Sequence, residues 1–210
     1  MRALFLFLIA TAAACAAPLQ KDLGQGLVYF RMHQLPGDLP ANPGAKGRPC
    51  VLDLRYVKGT AAAAADLKAW LASHATIKTP VLLLANADTS PALLAPLAAA
   101  QSIPGLVIIA PETVKFPADI AVDVSPRRER KAYDALEEGT PVEKLLNDNP
   151  PKERNDEARL ARDHISDEEM EAETESANPT DAPAPPRPLI DAELQRAVQL
   201  HRALLALKQL

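Results

Sequence analysis

Residues 79–115, TPVLLLANADTSPALLAPLAAAQSIPGLVIIAPETVK, decide the fold. Residues 81–85 (VLLLA) are wholly apolar and few, the pattern of a strand buried on both faces. The polar residues Asn86, Asp88, Thr89 and Ser90 follow, and residues 91–100 then have the Ala/Leu composition of a helix. After Pro104-Gly105, a second apolar run at 106–109 (LVII) reads as the next strand. Strand, polar loop, helix and strand make one β-α-β unit. Open α/β sheets place ligand and catalytic groups in the loop that follows such a strand. Any chemistry in this chain is therefore expected around residues 86–90.

The flanking sequence repeats the pattern. Residues 26–35 (GLVYFRMHQL) alternate and carry Val, Tyr and Phe, which suits a strand. A Pro/Gly loop at 36–49 leads to another strand at 50–57 (CVLDLRYV), whose apolar run is interrupted by Asp53 and Arg55. Thr60 caps an alanine-rich helix over 61–75 with Leu67, Trp70 and Leu71 on one face. A short strand is expected at 119–124. Strands and helices alternating at this spacing predict an α/β fold, a mainly parallel sheet with helices on both faces.

From Pro126 the character changes. A charged helix over 127–138 presents Ala132, Tyr133 and Leu136, and a short helix follows Pro141. The expected organisation is an export signal at 1–17, an α/β domain at 22–148 and a charged helical extension at 149–165. An acidic, Pro-rich linker at 166–188 and an amphipathic helix at 189–210 complete it. That last helix, with Asp191 as its start signal, either docks back on the domain or binds a partner.

The chain has 210 residues, a net charge of −4 and 48% apolar residues, enough for one compact domain with appendages. Without a basic excess, nucleic acid is not an expected partner. Arg2, the apolar residues 4–9 and the small residues 12–17 have the layout of an export signal, and the apolar run is too short to span a membrane. Cleavage near Ala16 makes the protein soluble in the envelope, whereas lipidation of Cys15 makes it a membrane-held lipoprotein. Cys50 is then the only other cysteine, so no internal disulfide is expected, and it reads as a small core residue. His33, His74, His164 and His201 lie in four separate segments without metal-ligand spacing. Gly24-x-Gly26 precedes a strand instead of following one, so it is not a phosphate loop. No metal or cofactor is expected.

The order LDLR (52–55), helix, PVLLLANADTS (80–90), GLVIIAPETVK (105–115) and PADIAVDVSP (117–126) resembles the catalytic core of the carboxyl-terminal processing (tail-specific) serine proteases. The resemblance covers residues 51–124, with a weaker echo at Asp191-Ala192-Glu193-Leu194. It implies the fold shared by the Clp protease and crotonase groups. Carried over by position, Ser90 falls on the nucleophile and Lys115, 25 positions later, on the general base. A desolvated lysine whose pKa has fallen can accept the serine proton. Asp53 and Arg55 match the family's strand end and read as a structural pair.

The departures bear on the chemistry. The turn after Arg55 is Tyr56-Val57-Lys58-Gly59, where the family has a double-glycine turn that helps form the oxyanion hole; Gly59 alone remains. Pro91 follows Ser90, so the amide that should donate to the oxyanion has no N–H. Loss of one such donor costs on the order of 100- to 1000-fold in turnover. Thr113-Val114-Lys115 lacks the glycine before the lysine, and no room exists for a substrate-binding PDZ insertion. Ser90 before Pro91-Ala92-Leu93-Leu94 is also an ordinary helix start. Two functions are therefore expected to compete. One is a catalytically reduced relative that acts as a binding or structural envelope protein. The other is a working Ser-Lys peptidase that cleaves peptides or unfolded proteins. An unrelated doubly wound binding domain would show itself by a different strand order. The partner is expected to be a peptide or protein, and self-association is left open.

Overall fold

Strands lie across the sheet in the order in which they occur along the chain. The computed structural model describes residues 19–40, 47–98, 102–147 and 188–210. The strands are β1 (Leu19–Asp22), β2 (Val28–Arg31), β3 (Cys50–Asp53), β4 (Val81–Leu84), β5 (Leu106–Pro111) and β6 (Ile120–Val122). Between and after them come α1 (Ala61–His74), α2 (Pro91–Ala98), α3 (Pro126–Glu137), α4 (Val142–Leu145) and α5 (Ala192–Ala206). β2 to β6 are mutually parallel, and β1 alone runs antiparallel, as a hairpin partner of β2.

The fold is thus α/β with a mixed, mostly parallel sheet, as the alternating pattern predicts. The first strand was not anticipated in the sequence: Leu19-Gln20-Lys21-Asp22 has only one apolar residue, and β2 supplies the pairing that orders it. The sheet therefore begins ahead of residue 22. The expected signal at 1–17, the extension at 149–165 and all but Pro188 of the linker lie outside the described residues.

Register sorts the strand residues into two faces. Val28, Cys50, Val81 and Leu106 align across four strands, and so do Tyr29, Val51, Leu82 and Val107 on the opposite face. The first row, with Phe30, Leu52, Leu83 and Ile108, packs under α1 and α2 through Leu67, Leu71, Leu93 and Leu97. The second, with Leu84 and Ile109, packs under Leu136, Val142, Leu145, Leu194, Ala197 and Val198 of α3, α4 and α5. This division follows from the strand order. Right-handed crossovers that always step in the same direction place their helices on one face. The other face, apolar apart from the strand ends at Arg31 and Asp53, is covered by the described helices α3, α4 and α5.

Two local features fix the frame. Thr60 caps α1 by accepting from the Ala63 amide. Gly105, before β5, has φ +81°, and a Cβ there would lie 2.0 Å from the Thr76 carbonyl oxygen. Only glycine meets both demands. Among the described residues no helix is long and apolar enough to cross a membrane.

Candidate functional site

The loop after β4 uses its polar groups on itself and on the turn that follows β3. The Asn86 carboxamide oxygen accepts from the amides of Tyr56, Asp88 and Thr89, at 3.3, 3.1 and 3.0 Å. Thr89 Oγ1 accepts from the Asn86 amide and donates to the Leu54 carbonyl, both at 3.0 Å. Ser90 Oγ donates to the Gly59 carbonyl at 3.0 Å, and the Ser90 amide donates to the Val57 carbonyl at 2.9 Å. The Ser90 carbonyl receives the amides of Leu93 and Leu94, so Ser90 is also the residue from which α2 starts. Gly59 sits where a Cβ would meet Leu93 of α2 at 2.7 Å, so its bareness lets that helix close on the turn.

Ser90 and Lys115 are not brought together by a hydrogen bond. Lys115 is exposed, in the turn between β5 and β6, and the Ser90 hydroxyl is engaged with Gly59. With Pro91 next in sequence, the amide after Ser90 offers no donor.

Asp53 and Arg55 are brought together, with more groups around them than the pair itself. Arg31 and Asp53 end β2 and β3 on the face under α3 and α5. Every N–H of the Arg55 guanidinium is in use. Nε donates to Asp53 Oδ1 at 3.0 Å, and Nη2 to Asp53 Oδ2 at 2.7 Å and Asp191 Oδ2 at 2.8 Å. Nη1 donates to Asp191 Oδ1 at 3.0 Å and Glu193 Oε2 at 2.9 Å. The Tyr29 hydroxyl donates to Asp53 at 2.6 Å and accepts from Arg31 Nε at 3.2 Å. Arg31 also reaches the Tyr133 carbonyl at 2.8 Å and pairs with Glu137. Beside this core, Asn86 Nδ2 donates to the buried Glu129 of α3.

Tyr56 closes the turn over the cluster at φ +63°, a left-handed conformation unusual for a non-glycine residue. Its ring meets Tyr133 edge-on at 4.6 Å, and the Arg130 guanidinium lies 4.5 Å from its centroid. These contacts hold the residue where a glycine would sit more freely.

The electrostatics follow from burial. Burial would raise Asp53, but the Arg55 guanidinium, with the Tyr29 hydroxyl and Arg31, holds it below its ordinary value. Glu193 goes the other way: burial pushes its carboxyl well up, Arg55 opposes, and neighbouring carboxyls add to the rise. Burial also raises Glu129, against the hydrogen bond from Asn86. Glu193 Oε1 is buried and has no hydrogen-bond partner.

From the sequence, Asp53 and Arg55 stand out as charges inside an apolar strand. Asn86 is marked by its place in the loop after β4, and Asp191 and Glu193 by the helix start and the echo at 191–194, but nothing joins them to Arg55, and Tyr29 and Glu129 do not stand out at all. The available signal was the demand itself: a buried arginine needs acids, and an Asp-x-Glu pair opens an amphipathic helix downstream. Nothing in the spacing selects that pair over other acids in a chain with 27 of them. Among the described residues no group of His, Cys, Asp and Glu is arranged to hold a metal ion. No protein-family model and no curated protein matches the chain.

Proposed function

We propose that this chain is an exported relative of the tail-specific protease core, of Clp protease/crotonase-like fold, that no longer cleaves peptides and serves as a binding or structural protein of the envelope. The reading rests chiefly on Ser90: its hydroxyl is spent on the Gly59 carbonyl, with no hydrogen bond to the exposed Lys115. A nucleophile needs a base within hydrogen-bond reach. Pro91 adds a second obstacle at the oxyanion position. Three further features favour the fold assignment: parallel strands in chain order, crossover helices on one face, and the Leu-Asp-Leu-Arg strand end. The partner is a peptide or protein segment, and the signal-like N-terminus directs the chain to the envelope.

The test is cleavage of an unfolded protein by the purified mature protein, beside Ser90→Ala and Lys115→Ala. The expected result is no cleavage by the parent above the level of the variants. Cleavage by the parent that both substitutions abolish would overturn the reading and establish a Ser-Lys peptidase.

A further inference from the structure

The cluster around Arg55 holds more acid than its cations neutralise. Asp53 from β3, Asp191 and Glu193 from the start of α5, and Glu129 from α3 gather in the interior. Among the described residues the buried cations that oppose them are Arg55 and Arg31, and Arg31 is shared with Glu137. Four ionised carboxylates would leave a surplus of buried negative charge, which a protein interior tolerates poorly.

Hydrogen bonding shows where the surplus can be relieved. Asp53 and Asp191 each use both oxygens, whereas Glu193 has Oε2 on Arg55 and Oε1 on nothing. Arg55 has no further N–H to offer. The groups facing Glu193 are Asp53 and Arg55 from β3 and the turn after it, Asp191 from its own helix, and Glu129 from α3. Beyond them stand Tyr29 and Arg31 of β2 and Tyr133 of α3. Of the four that face it, Arg55 alone favours the ionised form. Glu193 is also the group that ties α5 to the sheet, together with Asp191.

We propose that a proton on Glu193 is a working part of the latch between the C-terminal helix and the sheet, so that docking of α5 tightens as the pH falls and loosens as it rises. The raised Glu193 carboxyl agrees with this geometry. A carboxyl raised by folding binds its proton more tightly in the folded chain. Its contribution is therefore complete below the ordinary value of 4.5 and is lost as the pH climbs toward the folded value.

The experiment compares the full chain with Glu193→Gln, which cannot ionise, in urea titrations from about pH 5 to pH 8. Linkage sets the scale, up to about tenfold in the unfolding constant per pH unit for one proton. The ratio of parent to variant unfolding constants is expected to rise with pH, and a flat ratio would overturn the proposal. Infrared spectroscopy of the folded parent at neutral pH supplies a readout that does not depend on the variant's stability. A carboxylic-acid carbonyl band that survives Glu129→Gln is expected. No band, or one lost with Glu129→Gln, would overturn the assignment to Glu193. Hydrogen exchange locates the effect: opening of α5 should rise with pH more steeply than opening of α1, and an equal rise would sink the latch.

Discussion

Arg55 shows how a single side chain can be structural at the strand ends, where an open α/β sheet usually carries its site. Three carboxyls from two distant parts of the chain surround it, and its planar fork matches them with all five donors. Arg55→Met would leave those carboxyls buried without their cation. A loss of about 3–5 kcal/mol is expected in urea denaturation. Arg55→Lys keeps the charge but has three donors in place of five, so it should recover only part of the loss. A Met variant within about 1 kcal/mol of the parent would show that the cluster is not an anchor. Gly105 is a second residue of this kind. Gly105→Ala forces a Cβ against the Thr76 carbonyl at φ +81°. Left-handed strain and overpacking together should cost about 2–4 kcal/mol, read as a lowered denaturation midpoint.

At the scale of elements, α5 is the piece whose place could not be read from its own sequence. Its apolar stripe and its Asp191 cap predict a helix, and the structure has that helix, with Asp191 Oδ1 accepting from the Leu194 amide. Whether it docks at home depends on Arg55, 136 positions earlier, and pairings at such separation leave no periodic trace. β3, β4 and β5 were legible because burial on both faces demands apolar runs, β2 because its residues alternate, and α1 because Thr60 and the leucine face mark it. β1 was not, because an edge strand with one apolar residue owes its order to its neighbour. The candidate site divides likewise: Asp53 and Arg55 are conspicuous in an apolar run, whereas the acids that answer them look like surface residues. The stems of the segment between α4 and α5 are also joined, since Gln195 bonds both the amide and the carbonyl of Asn147 and the Asp191 amide donates to Leu145. A protease site engineered into residues 148–187 should therefore cut the chain without freeing the tail. The two fragments of the parent are expected to co-elute in size-exclusion chromatography, and those of the Arg55→Met variant to separate. A parent that sheds its tail on cutting would show that α5 is held by the covalent link alone.

For the molecule as a whole, the one-directional winding of the sheet has an energetic consequence. α1 and α2 cover one face, so the other depends on the C-terminal helices, and the polar cluster is caught between that face and its cover. Among the described strands the order never reverses, so none of their ends opens the crevice that a reversal makes. The strand ends are occupied instead by an ion network, which ties global stability to pH from both sides. Asp53 is held down by Arg55 in spite of burial, and Glu137 is held down by Arg31 in spite of its own. A depressed carboxyl contributes stability above its unfolded value, near 3.8 for Asp and 4.5 for Glu, and that contribution drains away as the pH falls through the folded value. Glu193 and Glu129 are raised and act in the opposite sense, losing their contribution as the pH climbs above 4.5. The unfolding free energy, measured by urea titration from about pH 3 to pH 8, should therefore peak on the acid side of neutrality and decline in both directions. Replacing Glu193 and Glu129 together by Gln should flatten the upper limb and move the maximum toward neutral pH, with the acid limb unchanged. Asp53→Asn should instead blunt the acid limb. A parent profile that is level from pH 5 to 8 would mean that Glu193 and Glu129 hold the same protons folded and unfolded, and the network would then act on stability through its acid limb alone.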